Sequence, residues 1–119
     1  MKLDDLRAYL MQKKRVTEEL PFGPEALVFK VMGKMFALVG WQSSPLRLSP
    51  KCDPDDALAL RDMYPAVQPG YYLNKKHWNT ITLDGTIPES EILKMIDHSY
   101  QLVVKSLKKA EREALLAEA

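Results

Sequence analysis

The sequence predicts an α+β domain: a two-layer sandwich in which an antiparallel sheet of about five strands carries helices on one face. Three observations predict it. Residues 26–41 hold two apolar runs separated by Gly33-Lys34, the pattern of a β-hairpin. Residues 78–83 alternate with the period of two expected of a strand and stop at Asp84-Gly85. Helical stripes of apolar residues open the chain, precede Pro65 and close it.

Residues 2–14 read as an amphipathic helix. Leu3, Leu6 and Leu10 recur at i, i+3 and i+7, Tyr9 widens the stripe, and Lys13, Lys14 and Arg15 sit where cations favour the helix dipole. Residues 16–20 form a short strand or an extended connector. Pro21-Phe22-Gly23-Pro24 is a rigid turn. In the hairpin that follows, a loop of Gly33 and Lys34 suits a type II′ turn, which would project Lys34 from the tip. Leu27, Phe29 and Val31 would share one face, and Val28, Lys30 and Met32 the other.

A further strand is expected around residues 46–51. Asp53-Pro54-Asp55-Asp56 then marks a helix start: Asp53 can cap, Pro54 fits the first turn, and the acids favour the positive end. This helix turns Ala57, Leu60 and Tyr64 inward and ends before Pro65. After the strand at residues 78–83, Thr86 and Glu89 fit a capping box. Leu93, Ile96, Tyr100, Val103 and Leu107 give the last helix its apolar stripe. Residues 108–119 have high helix propensity and are expected to fray, completing a single domain over 1–119.

A chain of 119 residues buries roughly two-thirds of the surface it exposes when unfolded. Its 46% hydrophobic and 28% charged residues are the proportions of a soluble globular domain. No apolar run reaches the ~20 residues of a membrane helix, and Asp4, Asp5 and Arg7 break any signal-peptide core. The single cysteine, Cys52, excludes an internal disulfide and a cysteine-based zinc site. A cytoplasmic setting is expected.

The net charge of +1 does not itself point to a polyanion; its distribution is more informative. Residues 26–52 contain Lys30, Lys34, Arg47 and Lys51 with no acid, and residues 63–83 contain Lys75 and Lys76 with no acid. If these segments are the sheet, its face and hairpin tips are positive. Strand-edge lysines that discourage aggregation would leave the same pattern. The richest stretch is residues 69–85, with two tyrosines, a tryptophan, a histidine, two lysines and two asparagines between Pro-Gly and Asp-Gly turns. Asn74, Lys75, Lys76 and His77 are too polar for a core, so they form a turn or an exposed strand entry.

Catalytic signatures are missing: no phosphate-cradling glycine loop, paired-histidine spacing or nucleophile elbow occurs. His77 and His98 lie on different elements, and Cys52 reads as a small buried residue. No cofactor or metal is expected, and a non-enzymatic role follows. Nucleic-acid binding fits better, because lysines neutralise phosphates, aromatic rings stack on bases, and Asn74 or Asn79 could meet base edges.

Taken together, several segments resemble the MmcQ/YjbR family of small bacterial proteins. They are Pro21-Phe22-Gly23-Pro24, Val31-Met32-Gly33-Lys34-Met35-Phe36-Ala37-Leu38, Lys51-Cys52-Asp53-Pro54, Gly70 through Asn79, Leu83-Asp84-Gly85 and Ser99-Tyr100. They follow in order from the first helix to about Leu107. The resemblance implies a CyaY-like fold and a DNA-binding assignment that rests on likeness to a double-wing domain, whose β-hairpins meet the duplex. The family's Asn-Lys-x-His-Trp pattern falls on Asn74, Lys75, His77 and Trp78, and its Gly-Lys tip on Gly33 and Lys34.

The leading expectation is a DNA-binding module with a regulatory use. Lys34, Lys51, Lys75 and Lys76 would meet phosphates, while Asn74, His77 and Trp78 shape the contact. The alternative is a non-enzymatic adaptor that holds a protein or small ligand on an aromatic sheet face of Tyr71, Tyr72 and Trp78. A third reading, an enzyme centred on His77, requires a carboxylate or hydroxyl hydrogen-bonded to that ring.

Overall fold

The computed structural model describes residues 1–71 and 73–117. Its elements are α1 (Leu3–Met11), β1 (Val16–Glu19), β2 (Leu27–Val31), β3 (Lys34–Gly40), β4 (Arg47–Pro50), α2 (Pro54–Met63), β5 (Val67–Pro69), β6 (Asn79–Thr82), α3 (Glu89–Ser106) and α4 (Lys109–Leu116). The six strands form one open sheet in the order β1-β2-β3-β4-β6-β5, every neighbouring pair antiparallel. The α+β class holds, with six strands where about five were expected. No helix among the described residues is long and apolar enough to cross a membrane.

Alternation along the strands decides which face is covered. Leu27, Phe29 and Val31 pair across to Val39, Ala37 and Lys34, and Val39 pairs with Leu48, which pairs with Ile81. These apolar residues are buried in the core together with Ile92, Ile96, Tyr100 and Val103 of α3. Burial of each such side chain contributes on the order of 1.5–3 kcal/mol. A register shift between Phe29 and Lys30 leaves Phe36 as an extra residue on β3. Such a bulge re-aims a side chain. Phe36 is fully buried, and its ring meets Tyr100 of α3 edge-on, with centroids 5.5 Å apart and planes at 82°.

Polar bonds hold the N-terminal helix to this layer. Arg7 forks onto Glu18 of β1 at 2.6 and 2.7 Å, and Tyr9 and Lys13 both donate to Asp97 of α3. Burial pushes the Asp97 carboxyl up, but those two donors outweigh it and hold the group below its ordinary range. Tyr100 Oη donates to Lys14 O at 2.8 Å.

Three local expectations are revised. The hairpin loop is Met32-Gly33, not Gly33-Lys34: Val31 pairs with Lys34, and Met32 (φ +50°) and Gly33 (φ +84°) both take positive φ. Two successive positive φ values belong to a type I′ turn, whose twist matches the strands. Lys34 is therefore the first residue of β3 and faces the helices with Val31. The Thr86–Glu89 capping box does not form; Thr86 bonds back to Asp84 Oδ1 through its amide (3.0 Å) and hydroxyl (2.6 Å). Finally, the tail forms α4, with Leu115 only 3% exposed in the core, because its apolar residue finds a surface to dock on.

Candidate nucleic-acid interface

The loop between β5 and β6 carries most of the residues that the sequence singles out. Gly70 starts it against Trp78: a Cβ on Gly70 would lie 2.8 Å from Trp78 Cβ and 3.0 Å from Trp78 O, so only glycine fits. The Gly70 amide donates to Trp78 O at 2.9 Å. Lys75 Nζ folds back onto Gly70 O at 3.0 Å. Asn74 Oδ1 accepts from the Lys76 amide at 2.9 Å, and Asn74 O from the His77 amide at 3.2 Å, an Asx-turn stabilised by a tight return of the chain.

Arg61 of α2 fastens this loop, a role that sequence reasoning missed. Its Nε donates to Asn79 Oδ1 at 2.7 Å, and its Nη2 reaches Lys75 O and, at 3.4 Å, Trp78 O. Asn79 is fully buried and donates through Nδ2 to Ala57 O at 3.2 Å. On the other side, the Cys52 amide donates to His77 O at 2.7 Å, and Lys51 bridges Trp78 in antiparallel fashion. The Lys51 amide in turn donates to Phe36 O at 3.0 Å.

These backbone bonds bring residues 34, 51 and 75–78 to one end of the sheet. The side chains then diverge. Lys34 Nζ donates to Ser106 O at 3.0 Å, where a cation complements the negative end of α3. Lys51 lines a cleft of about 220 Å³ between α2 and α3, along with Cys52, Asp53, Asp56, His98 and Lys105. Lys76 is exposed, and neither it nor Lys51 has a side-chain hydrogen bond among the described residues. None of the four lysines is ion-paired among the described residues, although Asp53, Asp55 and Asp56 open α2 nearby. Lys105, overlooked in the sequence, adds a cation in the last turn of α3.

Two expected contact residues do not reach the surface. Trp78 is 7% exposed and Asn79 fully buried, because the loop closes over the first while Arg61 and Ala57 use up the second's amide. Trp78 thus shapes the loop from beneath, and Asn79 cannot meet a base edge. His77 is half-buried, and its imidazole has no hydrogen-bonded carboxylate or hydroxyl among the described residues. Tyr72 lies outside the described residues. Tyr71 is exposed, but it lines a cavity on the helix-free sheet face of which Trp78 is not part. Burial pushes the Cys52 thiol up to about 11, with Asp56 adding to the effect, so it stays protonated at neutral pH. No group of three or more His, Cys, Asp or Glu residues among the described residues could hold a metal ion.

Known proteins share this fold. The chain is 34% identical to the uncharacterized protein YjbR of Escherichia coli K12 over 116 residues, 98% of each chain. It is 41% identical over 97 residues to the uncharacterized protein YbdF of Escherichia coli O157:H7, covering 78% of this chain and 76% of that one. Among solved structures, the Deinococcus radiodurans protein DR2400, with a DUF419 domain, superposes with a TM-score of 0.90 at 45% identity, covering 96% of this chain and 87% of that one. A Pseudomonas syringae protein gives a TM-score of 0.73 at 27% identity, over 86% and 98% of the two chains. The YjbR family model matches residues 11–102, and the chain belongs to the YjbR family.

Proposed function

We propose that this protein binds the phosphate backbone of duplex DNA through the end of the sheet that carries Lys34, Lys51, Lys75 and Lys76. One observation supports the reading: strand pairing brings the backbones of lysines distant in sequence to one end of the sheet, and among the described residues none of the four is neutralised by an ion pair. The β2–β3 turn and the β5–β6 loop project there, as the two wings of a double-wing arrangement would. Lys105 extends the cationic group along α3.

With Trp78 and Asn79 buried and the Asn74 oxygen used within its own loop, phosphates are the recognised groups, and base edges play little part. Binding is therefore sequence-tolerant and salt-dependent. Fluorescence anisotropy with several unrelated labelled duplexes at low salt tests this. Similar affinities for all of them, lost when the four lysines become alanine, are expected. The reading fails if no duplex binds, or if the four-alanine protein binds as tightly as the parent.

A further inference from the structure

The helix-free face of the sheet carries a cavity of about 580 Å³, well within the size of small-molecule sites. None of Lys34, Lys51, Lys75 and Lys76 lines it. Its walls are apolar: Phe22 from the turn before β2, Leu38 of β3, and Tyr71 and Leu73 from the β5–β6 loop. Phe22 and Tyr71 are 64% and 59% exposed, a large apolar area to leave in water at the mouth of a cavity.

The polar groups here are few and mostly donors. Ser49 and Thr80, both buried, line the cavity with their hydroxyl oxygens 2.8 Å apart. Thr80 Oγ1 also accepts from the Tyr71 amide at 2.9 Å. Two hydroxyls carry two protons, and the bond between them uses one. The other has no acceptor among the described residues, so the pair can donate one hydrogen bond into the cavity. Arg47 stands at the rim with its guanidinium 5.9 Å from the Tyr71 ring centroid and no carboxylate partner among the described residues. Glu25 also lines the cavity and is not ion-paired with Arg47 among the described residues.

We propose that this cavity binds a small monocarboxylic acid with an aromatic or short aliphatic body. The body would lie between Phe22, Leu38 and Tyr71, and the carboxylate would accept from Arg47 and the Ser49–Thr80 hydroxyl pair. Arg47 can offer a carboxylate two parallel N–H donors, which a neutral amide cannot match. Arg47 is the one cation among the described residues that line the cavity, too few for a polyanion, so duplex DNA is not its occupant.

Amide-resolved NMR titration of the full chain with benzoate, 3-phenylpropionate and octanoate, each beside its primary amide, tests the assignment. At least one acid is expected to shift the Arg47, Tyr71 and Thr80 signals and to bind at least tenfold tighter than its amide. Arg47→Met, which removes the guanidinium over the Tyr71 ring but keeps an unbranched side chain, should abolish that preference while the spectrum stays folded. Ser49→Ala should weaken the acid severalfold. The proposal is overturned if none of the three acids binds at millimolar concentration. It is equally overturned if acid and amide bind alike, or if Arg47→Met retains the preference. Because Arg47 is not one of the lysines at the sheet end, DNA binding by Arg47→Met reports on the other reading separately.

Discussion

Arg61→Ala should strand a buried acceptor, and its cost follows from the geometry. The guanidinium is the donor to Asn79 Oδ1, and Asn79 is fully buried, so water does not readily replace the bond. A hydrogen bond from a charged donor contributes about 1.5–3 kcal/mol, and an orphaned buried acceptor costs a similar amount. The bond to Lys75 O is exposed and that to Trp78 O is long at 3.4 Å, so both add little. A loss of about 2–3 kcal/mol is expected. With an unfolding entropy near 2.1 cal/mol/K per residue, 119 residues give roughly 0.25 kcal/mol per degree. The melting temperature should then fall by about 8–12 °C. Urea unfolding followed by circular dichroism measures the loss directly, with an unchanged m-value showing that the native fold persists. Arg61→Lys should recover less than half of it, since an ammonium cannot reproduce the fork. A loss below about 0.5 kcal/mol for Arg61→Ala would refute the claim that this side chain fastens the loop.

Two further expectations test neighbouring parts of the site. Gly70→Ala must push against Trp78 Cβ at 2.8 Å and the Trp78 carbonyl at 3.0 Å, so it should cost about 1–3 kcal/mol in the same assay; a neutral substitution would mean that the loop is not tightly closed. Cys52 has its thiol pKa raised from 9.0 to about 11 by burial, so the stability tied to it is complete below pH 9. It is lost as pH rises from about 9 through about 11, by roughly 2–3 kcal/mol. Cys52→Ala should flatten that alkaline loss, and an equally steep fall in the variant would contradict the assignment.

Residues with strong periodic patterns made much of the fold legible. The β2–β3 hairpin declares itself through two apolar runs broken by a glycine turn, and α3 through Ile96, Tyr100 and Val103 at helical spacing. Asp53 caps α2 as its sequence demands, accepting from the Asp55 amide at 3.0 Å. Features that arise from pairing were hidden. The bulge that turns Phe36 toward α3 depends on which residue of β2 faces which residue of β3, and a single strand pattern does not encode that. The placement of β6 between β4 and β5 joins Lys51 to Trp78 across 27 positions of chain, and no local signal marks it. Composition cannot separate an aromatic that packs from one that is presented. Tyr71 and Trp78 looked alike in the sequence, and only one is exposed. Arg61 was invisible for a simpler reason: on a helix with mixed charge, one arginine resembles any other until its partner Asn79 is known.

The most direct measurement is the salt dependence of DNA binding in Lys51→Ala with Lys76→Ala. These two ammonium groups have no side-chain bond to lose among the described residues, so their removal reports on phosphate contact and not on loop structure. Each phosphate contact contributes about 0.9 to the slope of log K against log salt, so the slope should flatten by about 1.8, with affinity reduced alike on every duplex. An unchanged slope, or a parent protein that binds no duplex at low salt, would contradict the account.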